Sequence, residues 1–175
     1  MKNKKYWLGA LFAFGVDFFT KIWALNFLTL DEEFLLNHYF SIQRVWNESN
    51  ILASVNFDIP TPVFRFFWIF ASLLLAIAIY WVSLQPAINE DSVKTDFAKT
   101  GLFLIMSGIW GNAFDRIFRS EGVVDFIRLN FLEDIIPIMN FADVFIYVGI
   151  FCIVVGWSII LTEEFLAKFL NKKLK

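Results

Sequence analysis

Residues 66–89 carry no charged side chain, and residues 144–162 carry none either. An α-helix rises about 1.5 Å per residue, so about 20 apolar residues cross the hydrocarbon core of a bilayer. Both runs reach or approach that length. Within lipid every backbone N–H and C=O must be bonded inside the segment, so such runs are expected to be helices. Two further segments are weaker. Residues 100–114 are uncharged but short, and become long enough with Phe97 and the residues just past Asp115. Residues 6–30 are interrupted by Asp17 and Lys21. Four transmembrane helices are therefore expected, near 6–29, 64–86, 97–117 and 141–163, in a single membrane domain covering 1–175.

Composition points to the same solvent. Of 175 residues, 58% are hydrophobic and 18% charged, with 23 Phe and 7 Trp. Soluble domains are about half apolar and about one quarter charged. A chain this short has too much surface to hide that apolar excess in one core. The hydrophobicity excludes disorder. Cys152 is the only cysteine, which excludes a disulfide scaffold, and His38 is the only histidine, which argues against a zinc site. A net charge of −2 gives no reason to expect nucleic-acid binding. No cofactor is implied. Small residues are scarce in the spans, so aromatic packing between helices and a monomer are expected.

Charge placement orients the helices. Nine of the ten lysines lie in the N-terminal tail, the 87–99 loop and the C-terminal tail; Lys21 is the tenth. All five arginines lie in or beside the other two loops. The positive-inside rule then puts both termini in the cytoplasm. Loops 31–63 and 118–140 face outward. The basic start and apolar run at the N-terminus resemble a signal peptide, but Asp17 stands where a small-residue cleavage site belongs, so a retained helix is expected. In the first outer loop Phe34, Leu36, His38, Phe40, Ile42, Arg44 and Trp46 share one parity, which suggests short strands at the membrane surface.

Ionisable groups in or beside a span are costly and need a reason. Asp17, Thr20 and Lys21 fall on one helix face, as an intrahelical ion pair pinning the first span, or as part of a groove or proton path. Asn112, Asp115 and Arg116 repeat that spacing at the outer end of the third span. There Arg116 is either a boundary anchor or a clamp for backbone carbonyls. Asn140-Phe141-Ala142-Asp143 is close to a capping box, with Asn140 as N-cap and Asp143 at the third helical position. Asp125 sits among Val123, Val124, Phe126 and Ile127, odd company for an exposed loop acid. Two nearby carboxylates that share one proton can run aspartyl hydrolysis, one taking a proton from water and the other polarising the scissile carbonyl. The residues alone leave open which two of Asp17, Asp115, Asp125 and Asp143 meet. No His-Glu-x-x-His and no Gly-x-Ser-x-Gly is present, and His38 lies outside the spans.

Together these blocks resemble the bacterial lipoprotein signal peptidase family, also called signal peptidase II. Gly111-Asn112-Ala113-Phe114-Asp115-Arg116 matches its Gly-Asn-x-x-Asp-Arg block. Val123-Val124-Asp125-Phe126 and Asn140-Phe141-Ala142-Asp143 match its Val-Val-Asp-Phe and Asn-x-Ala-Asp blocks, in order. The resemblance implies an aspartyl endopeptidase of the bacterial inner membrane with its active site toward the periplasmic face. It would remove the signal peptide of a diacylglyceryl prolipoprotein just before the lipid-modified cysteine, and be inhibited by globomycin-type antibiotics. It implies Asp125 and Asp143 as the catalytic pair, and Asn112, Arg116, Asn140 and Asn47 as substrate-binding or dyad-holding residues. Asp17, Lys21 and Asp115 would give structural support, membrane lipid would surround the helices, and parts of 34–58 would form a small extracytoplasmic β-cradle. The chain departs from the family pattern in four places. Phe18 stands where Gln usually follows the first Asp, Met139 stands where Phe is common, and Asn47-Glu48-Ser49-Asn50-Ile51-Leu52 lacks the usual Gly. The loop between Asp115 and Asp125 is one residue longer than the family pattern. Two rival readings are a proton-coupled carrier using Asp17, Lys21, Asp115 and Asp143, and a non-catalytic relative that binds lipidated peptides.

Overall fold

The computed structural model describes residues 3–47, 61–85 and 92–173. Its apolar runs form four α-helices: α1 (Lys4–Phe27), α2 (Thr61–Ser83), α3 (Val93–Phe118) and α4 (Phe141–Lys173). α3 begins four residues before the expected span, because Ser92 and Thr95 cap it reciprocally: the Ser92 side chain accepts from Thr95 N and the Thr95 side chain from Ser92 N. α4 runs ten residues past the expected 163, since no Pro or Gly interrupts the polar tail that follows. Among the described residues, two helical segments qualify by length and hydropathy to cross a membrane, Lys4–Phe27 and Phe141–Glu163, and Phe66–Val82 of α2 is a shorter apolar stretch. The first span, expected to be a weak one, thus qualifies beside the expected strong last span. Asp17 and Lys21 are too few to offset the apolar remainder of α1.

α3 is the hub. It packs most extensively on α4, and also on α1 and α2. The polar residues that weaken it as a span point inward: Thr95, Lys99, Ser107 and Asp115 are each 1% exposed. The outward faces are apolar instead, with Phe12 of α1 at 74% and Phe66 of α2 at 71% exposed. A core of Tyr6, Ala10, Ile79, Phe103 and Met106 joins α1, α2 and α3.

The α3–α4 contact corrects the expectation of aromatic packing. Gly101 and Gly108 of α3 face Gly149 and Ala142 of α4, and Gly156 faces the start of α3. A Cβ on Gly149 would lie 2.7 Å from the Gly101 carbonyl oxygen. The glycines recur every seven residues, so they line one face of each helix and let two backbones touch. Few small residues suffice when each stands at the contact. Aromatic packing operates elsewhere, as in the Phe14, Phe18 and Phe114 cluster between α1 and α3.

A three-stranded antiparallel sheet of order β1-β2-β3 caps one end of the helices, with β1 Glu33–Leu35, β2 Phe40–Asn47 and β3 Val123–Leu129. The single-parity stretch thus forms short strands, as expected, paired as a hairpin. Asn37 Oδ1 accepts the N–H groups of Tyr39 and Phe40 and turns the chain between β1 and β2. The expected cradle also omitted β3, whose Val-Val-Asp-Phe-Ile run pairs with β2 from the second loop. The expected cradle residues 48–58 lie outside the described residues. Val124 and Phe126 bury against Ala24, seating the sheet on the end of α1.

Candidate active site

Three elements converge below the sheet. β3 carries Asp125, placed opposite Val45 of β2, while Asn47 at the end of β2 pairs with Val123. Met139 then bridges to β3, donating its N–H to Ile127 O at 2.9 Å and accepting from Phe126 and Ile127. That bridge brings the next residue, Asn140, beside Asp125 at the start of α4. The expected capping box is formed: Asp143 N donates to Asn140 Oδ1, and Asn140 N donates to Asp143 Oδ2, both at 3.1 Å.

The capping and chemical readings of these residues coexist. Asn140 accepts with its side-chain oxygen for the cap, which leaves its Nδ2 free to donate. That nitrogen donates to Asp125 Oδ1 at 2.6 Å and to Asn112 Oδ1 at 2.9 Å. Asn47 Nδ2 donates to the second oxygen, Asp125 Oδ2, at 2.9 Å. Asn112 Nδ2 donates to Asp143 Oδ1 at 2.8 Å. Asp125 is 1% exposed, and burial first, then the charge of Asp143, pushes its carboxyl up to about 7. The amide donors of Asn47 and Asn140 act in the opposite direction but do not cancel those effects.

Beneath these residues lies an ion cluster. Lys21 Nζ meets Asp17 Oδ2 at 2.9 Å, Asp115 Oδ2 at 3.0 Å and Asn112 Oδ1 at 3.0 Å. The expected intrahelical pair of Asp17 and Lys21 is therefore present, but α3 shares it. Asp17 also accepts the Ala142 N–H at 2.8 Å, satisfying one of the open donors at the start of α4. Gly111 makes room for this, since a Cβ there would strike the Asp17 carboxylate. Thr20 does not join: its hydroxyl turns back to the Val16 and Asp17 carbonyls of its own helix.

Asp115 accepts from Arg119 Nε at 2.6 Å and from Val124 N at 3.3 Å, tying α3 to β3. Sequence reading passed over Arg119, although its four-residue spacing from Asp115 was available. Arg116 lies with its guanidinium carbon 4.6 Å from the centroid of the Trp68 ring on α2, a contact that no sequence pattern announced. Its charge acts on Asp125, Asp143 and Asp115. Segment 48–52, with its missing glycine, lies outside the described residues. Among the described residues no group of three or more His, Cys, Asp or Glu side chains could hold a metal ion.

The family model described as signal peptidase (SPase) II matches residues 9–159. The chain belongs to the signal peptidase II family. Among relatives, the lipoprotein signal peptidase of Borreliella afzelii is 30% identical over 158 residues, covering 85% of this chain and 88% of its own. That of Wigglesworthia glossinidia brevipalpis is 27% identical over 150 residues, covering 86% and 92%. A bacterial membrane enzyme solved by the in meso method at 2.3 Å shares the fold, with a TM-score of 0.71 at 22% identity over 88% of this chain and 87% of that one. The matched region, 9–159, contains every residue of the cluster just described.

Proposed function

We propose that the protein is an aspartyl endopeptidase of the bacterial cytoplasmic membrane. Its substrates are diacylglyceryl-modified prolipoproteins, cut just before the lipid-modified cysteine. One observation carries the reading: Asn140 donates to Asp125 through its side chain and to Asp143 through its backbone, so two carboxylates of separate elements share one anchor. The names of the relatives, lipoprotein signal peptidases, support the substrate class.

The chemistry follows from the two environments. Asp125, raised to about 7, holds the proton near neutral pH, and Asp143 is the carboxylate. Asp143 removes a proton from water as the water oxygen bonds to the scissile carbonyl carbon. Asp125 gives its proton to the carbonyl oxygen, forming a neutral diol. The C–N bond then breaks, the proton on Asp143 passes to the leaving amine, and a diol proton returns to Asp125. No covalent intermediate forms on the protein. Arg116, Asn112, Asn140 and Asn47 line this centre, where they hold the dyad or contact the substrate backbone. Asp17, Lys21 and Asp115 hold the helices around it.

In this reading α1 to α4 all cross the membrane as one domain, 1–175, with both termini cytoplasmic and the dyad toward the outer face. The lysine bias of the tails and of the 87–99 loop supports that orientation. The inward-facing polar residues and outward-facing apolar residues of the bundle support four crossings. The enzyme acts as a monomer without a cofactor, and globomycin-type antibiotics occupy its site. The gathering of Asp17, Lys21, Asp115, Asp125 and Asp143 into one cluster favours a peptidase over a proton carrier, which needs groups stepped through the membrane.

The test is a gel-shift assay with purified protein in detergent and a diacylglyceryl prolipoprotein. Wild type is run beside Asp125→Asn and Asp143→Asn, with and without globomycin. Cleavage by the wild type alone, blocked by the antibiotic, is the expected result. Cleavage that survives either substitution would overturn the dyad.

A further inference from the structure

Lys21 is 1% exposed, and its ammonium has three N–H donors and no acceptor. It forms ion pairs with Asp17 Oδ2 at 2.9 Å and Asp115 Oδ2 at 3.0 Å, and it donates a hydrogen bond to Asn112 Oδ1 at 3.0 Å. The first two neutralise charge. An ion pair alone does not require the third. Asn112 is a carboxamide with an accepting end and a donating end, and the two ends face opposite kinds of partner. Its oxygen faces the Lys21 ammonium and the Asn140 Nδ2, both donors. Its nitrogen faces Asp143 Oδ1 at 2.8 Å, an acceptor. Turning the amide over would set an NH2 group against an ammonium and an oxygen against a carboxylate, losing three hydrogen bonds.

We propose that Lys21 is a positioning residue of the dyad: its ammonium locks the Asn112 carboxamide in the orientation that presents an N–H to Asp143. Without Lys21, only the Asn140 amide would hold the Asn112 oxygen, and Asn140 is already committed to Asp125 and to the α4 cap. The inference rests on the aspartyl reading and goes beyond structural support. It assigns to a first-helix residue that touches neither carboxylate of the dyad a part in how Asp143 meets water.

The groups around the dyad come from every element that packs there. α1 contributes Lys21 and Asp17, and α3 contributes Asn112, Asp115 and Arg116. β2 contributes Asn47, β3 contributes Asp125, and Asn140 and Asp143 stand at the start of α4. Arg119 is occupied by Asp115. Lys21, like Arg116, acts on Asp125, and it favours the charged form of that carboxyl. Removing Lys21 therefore moves the alkaline limb of the pH–rate profile to higher pH.

The experiment compares purified full-length variants in detergent. Lys21→Met alone leaves Asp17 without its counter-charge and can fail to fold. The charge-balanced Lys21→Met/Asp17→Asn variant keeps the Asp115–Arg119 pair and serves as the second arm. Thermal melting reports folding, and prolipoprotein cleavage from pH 5 to 9 reports kcat and KM. A packing control, Phe103→Leu, lowers stability in the core at the other end of α3 and leaves the profile in place. The double variant is expected to fold, to lose about ten-fold or more in kcat with KM little changed, and to show the alkaline shift. That loss corresponds to about 1.4 kcal/mol of barrier. A folded double variant with wild-type kcat and profile would overturn the proposal, as would a rate loss no greater than the lost folded fraction. Asp125→Asn and Asp143→Asn run in the same assay keep the outcomes distinct: cleavage by those variants would sink the aspartyl reading itself.

Discussion

Asn140 Nδ2 lies 2.6 Å from Asp125 Oδ1 while the Asn140 side-chain oxygen caps α4 through Asp143 N. One side chain thus serves helix stability with its oxygen and the dyad with its nitrogen. The two roles separate by substitution. Asn140→Asp keeps the capping acceptor, loses the donor and adds a third carboxylate. It should keep the cap yet melt below the wild type, because the new oxygen faces Asp125 Oδ1 and Asn112 Oδ1, and cleave about 10- to 100-fold more slowly. Asn140→Ala should lose activity and also about 1 kcal/mol of stability from the missing cap. Melting curves in detergent, beside gel-shift rates, check both.

Asp125→Asn and Asp143→Asn are each expected to reduce cleavage by about 10²–10⁴-fold, the range for losing a positioned general acid or base. Neither should alter the melting temperature as much as Asp17→Asn. Asp17 caps α4 and is ion-paired with the buried Lys21, whereas Asp125 and Asp143 accept only from neutral N–H groups, of which an amide keeps one of two at each position. Single-turnover rates and thermal melts on the same preparations decide this.

The pH dependence follows from Asp125. Its proton is needed on the carbonyl oxygen, so the rate should fall as pH rises through about 7, where burial and Asp143 have moved its carboxyl. The Asn47 N–H favours the charged form of Asp125. Asn47→Ala should therefore shift the alkaline limb upward. A limb that stays fixed, or moves down, in a kcat/KM profile of Asn47→Ala would count against Asp125 as the proton donor.

The glycine seam gives a prediction remote from the chemistry. In Gly149→Ala the new methyl would lie 2.7 Å from Gly101 O and 3.0 Å from Ile105 N, and both are backbone atoms that cannot step aside. Overpacking of this kind costs about 1–3 kcal/mol. The start of α4 carries Asn140 and Asp143, so cleavage should drop with stability. Gly9→Ala meets nothing within 4 Å and should be neutral or slightly stabilising. Parallel melts of the two variants test the contrast.

Much was legible in the chain itself. Apolar runs of membrane length dictate helices, because backbone groups in lipid have no other partners. The Asn-x-x-Asp capping box was readable because caps act within one turn, and the Asp17–Lys21 pair because i and i+4 share a helix face. The three short blocks pointed to the family. What these signals have in common is range: each depends on residues a few positions apart.

The rest depended on contacts between distant segments. No local pattern could show that Asp125 and Asp143 share Asn140 as a donor. That meeting requires β3 to pair with β2 and Met139 to bridge back to Ile127. Nor could it show that Asp115 shares Lys21 with Asp17, that Arg116 lies over Trp68, or that glycines of two helices meet backbone to backbone. A single helix or strand specifies which side chains share a face. Only packing decides what that face meets, and the burial and charge it meets there set what its acids can do.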